Sequence, residues 1–397
     1  MSELSYLEKL LDGVEVEWRT LGEIAVIYDG THKTPKYTAS GVPFVSVQNI
    51  KNLYGTNKYI SPEDFKTYKN KPRKHDLFMT RIGDVGTCAI VEDDRPLAYY
   101  VTLALIRINQ QIAVPGFIRY LIESRFGKAE LYKRTLIHAV PMKINLGEIG
   151  KVAVPIPCPD NPEKSLAIQS EIVRILDKFS ALTAELTAEL TAELSMRKKQ
   201  YNYYRDQLLS FKEGEVEWKT LGEVAVIGTG NHDTQDAIEH GKYIFYARGR
   251  EPLKLNVFDF DETAIITAGD GAGVGKVFHY AKGKYALHQR AYRIVPNAFM
   301  NPRFVYHYIT AYFFTYIQKA SVSSSVTSLR RPMFLKFPIP VPPSEEQARI
   351  VEILDKFDTL TNSITEGLPR EIELRQKQYE YYRDLLFSFP KPETVSN

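Results

Sequence analysis

This 397-residue chain has several polar loops that contain Arg, Lys, Asn, Gln and His side chains. Arg, Lys, Asn, Gln and His are the usual donors to base edges and phosphates. In the first half of the chain the loops read GTHKTPK (30–36), VQNIKN (47–52), TYKNKPRKHD (67–76) and TRIGDVG (80–86). In the second half they read GTGNHDTQ (228–235), YARGREPLK (246–254), GDGAGVGKVFHYAKGK (269–284), HQR (288–290) and SSSVTSLRRP (323–332).

Sixteen side chains in these loops are candidates for contacts with DNA. In the first half they are His32, Lys33, Asn49, Lys71, Arg73, Lys74 and Arg81. In the second half they are Asn231, His232, Arg248, Arg250, Lys276, Lys284, Arg290, Arg330 and Arg331. Any one of them could instead be a solvated surface charge or a member of an ion pair. His288 could equally be a partly buried, satisfied histidine.

Two glycine-containing loops, 83–86 and 273–275, occupy similar places in the two halves. Glycine allows a backbone to approach a phosphate or a groove closely, and this is the interpretation we favour for both loops. A tight hairpin without any contact to DNA is the alternative.

Motifs for catalysis are incomplete throughout the chain. The run GDGAGVGK has Asp270 where a phosphate-binding loop requires glycine, and Val277 follows its lysine instead of Ser or Thr. The Pro-Pro pair at 342–343 lacks the preceding Asn or Asp and the following aromatic residue of an adenine methyltransferase, and PDNPEK (159–164) lacks the spacing of a nuclease. No pair of histidines has metal-ligand spacing. The sequence therefore predicts neither catalytic nor metal-binding residues.

Bulk composition is that of an ordinary soluble protein, with 44% hydrophobic and 25% charged residues. A net charge of +3 is compatible with binding to nucleic acid but does not require it. No run of eighteen apolar residues is present, and acids stand in the first residues where a signal peptide would be basic. We therefore expect a cytoplasmic protein without a membrane association, in which Cys88 and Cys158 are reduced.

The chain contains an internal duplication. GVEVEWRTLGEIAVI (13–27) returns as GEVEWKTLGEVAVI (214–227), so that Trp18 corresponds to Trp218. EIVRILDKF (171–179) returns as RIVEILDKF (349–357), and RKKQYNYYRDQLLSF (197–211) returns as RQKQYEYYRDLLFSF (375–389). These repeated segments flank two inserts of unequal length, which is typical of a duplicated architecture.

A long amphipathic helix is predicted from about residue 168 to 208, because apolar residues recur there at intervals of three and four. It contains LTAELTAELTAEL (182–194), in which Ala, Glu and Leu are strong helix formers. The period of four is shared by both copies. The stripe comprises Leu182, Leu186, Leu190 and Leu194 in the first copy and Leu360, Ile364, Leu368 and Ile372 in the second. We expect the two helices to pack as an antiparallel coiled coil about a pseudo-two-fold axis, with a kink or restart at Gly367 and Pro369 in the second helix.

The inserts combine predicted strands with shorter helices. VPFVSV (42–47), LALIRI (103–108), AIIT (264–267) and YALHQRAYRI (285–294) favour β structure, whereas FIRYLIES and FVYHYITAYFFTYI favour helices. Proline-rich segments, VPIPCPDNP (154–162) and FPIPVPPSEEQ (337–347), mark the exits toward the long helices. The predicted fold is α+β, with two globular mixed domains separated by two long helices. The predicted boundaries are 1–14 for an N-terminal helical segment, 15–160 and 214–342 for the two domains, 161–213 and 343–391 for the long helices, and 392–397 for a tail.

This organisation resembles the specificity subunit of type I restriction-modification enzymes over nearly the whole chain. Four features match that family, namely the VEWRTLGE and VEWKTLGE entries, the PIP exits, the ILDKF blocks and the repeated tyrosine-rich blocks. The Thr-Ala-Glu-Leu array is similar to the type IC branch of the family. The resemblance implies that each globular domain is a target recognition domain for one half of an asymmetric, bipartite DNA site. It also implies that the helices set the gap between the half-sites and dock two methyltransferase subunits.

The same resemblance implies a division of chemistry between subunits. S-adenosylmethionine, ATP and Mg²⁺ are then expected on the methyltransferase and restriction subunits, and this chain needs no cofactor of its own. Tyrosines at 201, 203 and 204, with their copies at 379, 381 and 382, are expected to pack the helix ends or to contact a methyltransferase subunit rather than to stack on bases. Two alternatives remain open, a coiled-coil adaptor that does not bind DNA, and a methyltransferase or nuclease in its own right.

Overall fold

The computed structural model describes residues 6–212, 214–320, 329–363 and 365–390, and these form two compact units. The first unit comprises the described residues up to Ala188 together with those from Glu373 onward, and the second spans Glu189–Ile372. Each unit therefore contains one insert and parts of both copies of the repeated helical segments. This is the circular arrangement that the duplication predicts.

The first unit is built around a four-stranded antiparallel sheet. Its helices are α1 (Tyr6–Leu11), α2 (Leu21–Ile24), α3 (Pro62–Lys66), α4 (Pro115–Glu123), α5 (Arg125–Tyr132) and α6 (Leu146–Gly150). Its strands are β1 (Val16–Thr20), β2 (Ala25–Asp29), β3 (Val42–Val45), β4 (Tyr59–Ile60), β5 (Leu77–Thr80), β6 (Cys88–Ile90), β7 (Ala98–Tyr99), β8 (Leu103–Ile108) and β9 (Ala153–Pro157). The main sheet has the order β2-β8-β5-β6, and a smaller sheet has the order β4-β3-β7.

Both faces of the main sheet are buried. Along β5, Leu77 and Met79 belong to a core shared with α4 and α5, whereas Phe78 between them belongs to a second core with Val45 and Tyr99. Successive side chains of a strand point to opposite faces, so a strand covered on both sides must be apolar throughout. For this reason strand β8 has the nearly continuous apolar sequence LALIRI (103–108). Its prediction as a strand is confirmed.

The second unit repeats the same plan with longer strands. Apart from the repeated long helices, its helices are α8 (Leu221–Val224), α9 (Pro302–Ala320) and α10 (Arg331–Leu335). Its strands are β10 (Glu217–Thr220), β11 (Ala225–Thr229), β12 (Tyr243–Tyr246), β13 (Leu253–Leu255), β14 (Phe260–Ala268), β15 (Phe278–Leu287), β16 (Ala291–Pro296) and β17 (Pro338–Val341). A single six-stranded sheet has the order β11-β16-β14-β15-β12-β13.

One strand explains why a six-stranded sheet of the second unit takes the place of the four-stranded and three-stranded sheets of the first. In the first unit β6 pairs with β5, and the separate strand β7 pairs in parallel with β3. In the second unit the ten-residue strand β15 pairs with β14 along its length and in parallel with β12 at its end. In the second unit, the single strand β15 therefore makes both of the pairings that the short strands β6 and β7 make separately in the first unit.

The repeated motifs at the entry and exit of each insert pair with each other. Strand β1 lies antiparallel to β9, with Trp18 opposite Pro155, and β10 lies antiparallel to β17, with Trp218 opposite Pro340. Proline is tolerated because each of these ribbons has only two strands. Each TLGE motif then begins a one-turn helix with a capping box between its threonine and its glutamate. The duplicated sequences therefore form the two-stranded ribbons in which the beginning and the end of each domain pair.

The predicted long helix is confirmed as α7 (Pro162–Leu208), which has 47 residues. The second copy is divided into α11 (Ser344–Asn362) and α12 (Gly367–Leu386). Gly367 has a φ of +78°, and a Cβ at this position would lie 2.5 Å from the carbonyl oxygen of Thr359. Glycine is the residue that accepts both conditions, so the predicted restart at Gly367 is confirmed.

Equivalent aromatic pairs connect the repeated helices inside each unit. In the first unit Phe179 of α7 stacks on Tyr382 of α12, with ring centroids 5.4 Å apart. In the second unit Phe357 of α11 stacks on Tyr204 of α7, with centroids 5.6 Å apart. Phe357 is the copy of Phe179, and Tyr204 is the copy of Tyr382. Packing of the helix ends by these tyrosines agrees with the prediction from the sequence.

The predicted leucine stripe is less buried than the helix ends. Leu182 is 50% exposed, and the other described members of the stripe are half-buried. These are Leu186, Leu190, Leu194, Leu360, Leu368 and Ile372. Ile364 lies outside the described residues. The fully buried apolar side chains of α7 are instead near its start, at Ile168, Ile172 and Leu176.

Candidate nucleic-acid interface

Loops at one end of the sheets surround an open cleft in the first unit. The cleft has a volume of about 390 Å³ and is lined by the loops that follow β2, β3 and β7. Thr34, Gln48, Lys58 and Thr102 supply its polar groups. A neighbouring cleft of about 260 Å³ lies beside the segment 67–70, which includes Lys69 and Asn70. Polar side chains thus line both clefts, and none of the seven residues predicted in the first half of the chain is among them.

Arg81 of the first unit points into the protein. Its side chain is 9% exposed, its Nη1 lies 2.6 Å from Oδ1 of Asp29, and its Nε donates to the carbonyl oxygen of Ile144 at 3.2 Å. The guanidinium therefore connects the end of β2 with the segment that precedes α6. Within the described structure, Arg81 acts as an internal cross-link, and its prediction as a DNA contact stays untested.

Replacing Arg81 with Met should lower the free energy of unfolding by about 2–3 kcal/mol, because Asp29 and the Ile144 carbonyl lose their donor. Urea denaturation of this variant beside Arg73→Met, whose side chain is exposed, measures the difference. The salt dependence of DNA binding should stay unchanged. A variant that unfolds like the original protein but loses part of that salt dependence would instead identify Arg81 as a phosphate contact.

Among the other predicted residues of the first unit, some side chains are exposed to solvent and others bind groups within the protein. His32 is exposed, and its Nε2 lies 2.8 Å from Oδ2 of Asp29, so His32 and Arg81 meet at one carboxylate. Lys33 follows it on the same exposed loop. Asn49 accepts the backbone N–H of Ser46 at 3.2 Å, which commits its amide oxygen to a short 3-10 helix. The exposed side chain beside it, Gln48, lines the cleft.

Three predicted residues lie on the connection between α3 and β5. The Nζ of Lys71 lies 4.9 Å from the centroid of the Phe65 ring. Arg73 and Lys74 have exposed side chains, while their backbone N–H groups donate to Asp76 and Asp94 at 2.9 Å. The backbone of this basic loop is fixed, and two of its cations face solvent.

The second unit has a cleft beside the loop that follows β12, as the first unit has one beside the loop that follows β3. Tyr100 and His288 occupy equivalent backbone positions, because their N–H groups donate to the residues that end β3 and β12, Val45 and Tyr246. The cleft of the second unit has a volume of about 610 Å³ and is lined by Arg248, Arg250, Asp270 and Lys276 together with the glycine loop 271–273. It is the larger and more highly charged of the two.

Three charged side chains from three loops meet beside this cleft, and two of them, Arg248 and Asp270, line it. Arg248 lies 2.9 Å from Oδ1 of Asp270, and Arg290 lies 3.1 Å from Oδ2 of the same carboxylate. Burial alone would raise the pKa of Asp270, but the hydrogen bonds from the two guanidinium groups outweigh it and lower this pKa. Asp270 is therefore ionised at neutral pH, and the cluster has one net positive charge.

The remaining predicted residues of the second unit lie in varied surroundings. Asn231, Arg250, Arg330 and Arg331 have exposed side chains. The Nζ groups of Lys276 and Lys284 lie 4.9 and 4.7 Å from the rings of Phe314 and Phe258. His232 is engaged, since its Nε2 lies 3.0 Å from Oδ1 of Asp259.

Both glycine loops occupy the same kind of connection, between β5 and β6 in the first unit and between β14 and β15 in the second. Their predicted correspondence is confirmed by this topology. The second loop borders the large cleft, whereas the first donates from Gly83 to the carbonyl oxygen of Met142 at 2.9 Å. A contact of either loop with a phosphate stays a prediction.

Within the described ranges, no three His, Cys, Asp or Glu side chains cluster closely enough to hold a metal ion. Burial raises the pKa of the Cys88 thiol, which disfavours its thiolate. Among the residues that the structure covers, no helix has both the length and the apolar composition needed to cross a bilayer.

Comparison with known families agrees with this architecture. The model of the type I restriction modification DNA specificity domain matches residues 13–196 and again residues 213–374. The chain belongs to the family of type I restriction-modification specificity subunits. This specificity subunit is 43% identical to the specificity subunit of the type I restriction enzymes EcoR124I and EcoR124II of Escherichia coli, with 100% of both chains covered. It is 40% identical to the EcoprrI specificity subunit of Escherichia coli, over 92% of this chain and 93% of that protein.

Solved structures share the fold of this specificity subunit at low sequence identity. One, from work on complex assembly and conformational transition of the type I R-M system, has a TM-score of 0.62 at 16% identity and covers 94% of this chain and 97% of its own. Another, the S subunit of a type I restriction-modification system from M. genitalium, has a TM-score of 0.51 at 16% identity, with 96% and 98% covered. The predicted α+β class with two domains and long helices is therefore confirmed.

Proposed function

We propose that each unit of this specificity subunit reads one half of an asymmetric, bipartite DNA site. The observation that supports this most directly is that the corresponding loops after β3 and β12 each border a cleft, and that the side chains lining the two clefts differ. An identical pair of clefts would favour a palindromic site. Clefts with unlike donors favour two unrelated half-site sequences, because base edges are distinguished by their donor and acceptor patterns.

The long helices are proposed to pair antiparallel and to set the gap between the half-sites. The stacked pairs Phe179–Tyr382 and Phe357–Tyr204 support an antiparallel arrangement, since in each case an early position of one repeat contacts a late position of the other. Thr-Ala-Glu-Leu is then a spacer whose copy number determines the gap. One four-residue unit lengthens a helix by about 6 Å, compared with about 3.4 Å of DNA for each base pair.

Deleting one Thr-Ala-Glu-Leu unit should shorten the non-specific gap by about one or two base pairs and leave both half-site sequences unchanged. Single-molecule mapping of methylated adenines in a host that carries the variant with its methyltransferase subunit measures both properties. Replacing one unit by Ala-Ala-Glu-Leu keeps the helix length and is the matched control. A changed half-site sequence, or an unchanged gap, would refute the spacer role.

Two methyltransferase subunits are proposed to dock on equivalent surfaces of the repeated helices. Tyr203 and Tyr381, which correspond in the duplication, are 62% and 64% exposed, and each packs edge-on against the next tyrosine with centroids 5.4 Å apart. Exposed tyrosines held by a neighbouring ring are typical of protein interfaces. Their duplication supports two equivalent sites, and restriction subunits would join the complex through the methyltransferases.

Catalysis is proposed to belong to those partner subunits, which would bind S-adenosylmethionine, ATP and Mg²⁺. The incomplete motifs of the sequence and the specificity-subunit relatives support this division. Salt-dependent binding to a bipartite duplex in the presence of the methyltransferase subunit separates the three functions under consideration. An adaptor would show no such binding, and an enzyme in its own right would show turnover by the isolated chain.

A further inference from the structure

The Arg248–Asp270–Arg290 cluster of the second unit has no charged counterpart in the first. The N–H of Gly269 donates to the carbonyl oxygen of Arg290 as the N–H of Arg81 donates to that of Thr102, both at 2.9 Å. Thr102 therefore occupies the position of Arg290. By the same backbone match, Val47 corresponds to Arg248 and Ile82 to Asp270.

In the first unit, neutral groups occupy this position and bind each other. The backbone N–H of Val47 donates to Oγ1 of Thr102 at 3.1 Å. The nearby Arg81 does not replace the missing charges, because its guanidinium is directed to Asp29. One location in the fold thus presents guanidinium donors in the second unit and a hydroxyl group in the first.

Arg290 is held in place from two sides. Its Nη1 is bound to Asp270, and its backbone N–H donates to Nδ1 of His288 at 2.9 Å. His288 is buried, and burial lowers its pKa, so the ring is neutral at pH 7 and its Nδ1 is available as an acceptor. The side chain of Arg290 nevertheless remains 62% exposed at the turn between β15 and β16.

We infer that Arg290 reads a guanine in the half-site recognised by the second unit and that Asp270, with Arg248, positions it. This rests on the proposed recognition function of the unit. An arginine fork donates to O6 and N7 of guanine in the major groove, which is the commonest specific contact between proteins and DNA. A guanidinium that a carboxylate already orients loses less side-chain freedom when it makes that contact.

A phosphate contact is the competing role for Arg290, and it makes a different prediction. Loss of a phosphate contact weakens binding to all sequences alike and reduces the salt dependence, whereas loss of a base contact relaxes one position of the site. Arg250 is an exposed candidate contact that lines the cleft bordered by Asp270, and it is the comparison for a general loss of positive charge.

The test maps methylated adenines in hosts that carry the full complex with the unaltered chain, Arg290→Ala, Asp270→Asn, Arg250→Ala or Thr102→Ala. For Arg290→Ala we expect discrimination at one guanine of the second half-site to fall by about 10- to 100-fold, with the first half-site unchanged. Asp270→Asn should relax the same position less strongly. Arg250→Ala should relax no position, and Thr102→Ala should leave the second half-site unchanged.

A binding measurement covers the case in which Arg290→Ala abolishes methylation. Duplexes in which 7-deazaguanine replaces the guanine lack the N7 acceptor. With the purified complex, this replacement should weaken binding of the unaltered protein by about tenfold and leave binding of Arg290→Ala unaffected, as expected for two partners of one contact.

Four results would overturn the inference, namely a second half-site without guanine, a bipartite site that Arg290→Ala reads normally, a uniform loss across all sequences in Arg290→Ala, and equal sensitivity of both proteins to 7-deazaguanine. Failure of the proposed function looks different. If the unaltered complex methylates no bipartite site at all, the recognition function itself is wrong. If Arg290→Ala reads a bipartite site normally, only the proposed arginine–guanine contact is wrong.

Discussion

Gly230→Ala should lower the free energy of unfolding by about 3 kcal/mol, since a Cβ at this position would overlap the carbonyl oxygen of Leu287 at the end of β15. A flexible side chain could move away at little cost, but a backbone carbonyl cannot move without disturbing the strand. Gly30, the equivalent residue of the first unit, meets the same obstacle. Its Cβ would lie 2.5 Å from the backbone of Tyr100. We therefore expect Gly30→Ala to have a similar effect on the first unit.

Matched controls exist for both substitutions. A Cβ on Gly147 in α6 would meet nothing within 4 Å, and a Cβ on Gly249 would come no closer than 3.8 Å to another residue. Gly147→Ala and Gly249→Ala should change stability by less than about 1 kcal/mol. Urea denaturation of the four variants gives the comparison. Equal midpoints for Gly230→Ala and Gly249→Ala would show that the chain at Gly230 does not lie against β15 as closely as described.

Gln347→Leu is expected to cost about 3 kcal/mol of stability, because its buried amide has several partners. Its Oε1 accepts the N–H of Asn301, just before α9, at 2.7 Å, and its Nε2 donates to the carbonyl oxygen of Pro342 at 2.9 Å. Leucine would leave both of these backbone groups buried and unpaired. The amide thus anchors the start of α11 to the start of α9.

Gln169, the copy of Gln347, performs the same role in the first unit. Its Oε1 accepts the N–H of Val114 at 2.9 Å, and its Nε2 donates to the carbonyl oxygen of Ile112 at 3.0 Å. We expect Gln169→Leu to cost as much as Gln347→Leu. The exposed Gln111 and Gln318 are the controls, and their Leu variants should stay within about 0.5 kcal/mol in chemical denaturation. If the buried and exposed variants unfold alike, the amides do not anchor the helices.

Much of the fold was accessible from the sequence because the duplication constrains it. The long helix, the restart at Gly367 and the strand 103–108 follow from periodicity and from the backbone properties of glycine. The buried glutamines could also have been found, since Gln169 and Gln347 lie at equivalent places within otherwise apolar positions of the repeat. A polar residue repeated on the buried face of a helix indicates a buried hydrogen bond.

Individual contacts of the candidate site were not accessible in the same way. Arg81 and His232 read as loop donors, but their carboxylate partners, Asp29 and Asp259, lie 52 and 27 positions away in the chain. Only the folded sheet brings these groups together. Asn49 is different, because Ser46 followed three residues later by Asn49 is a recognisable local capping pattern. The split of YALHQRAYRI into β15 and β16 likewise depends on pairing with distant strands.

The cleft of each unit is shaped by backbone groups, and this affects how new specificities can evolve. The N–H groups of Tyr100 and His288 donate to main-chain carbonyls, and the carbonyls of Thr102 and Arg290 accept main-chain N–H groups, so these four bonds remain when the side chain at such a position is exchanged. Under the proposed recognition function, substitutions at these four positions can alter the DNA sequence preference while the main-chain hydrogen bonds are retained. With such a scaffold, the DNA sequence that a unit prefers can change without unfolding the unit. Because the two units are separate copies in one gene, each half-site can change independently.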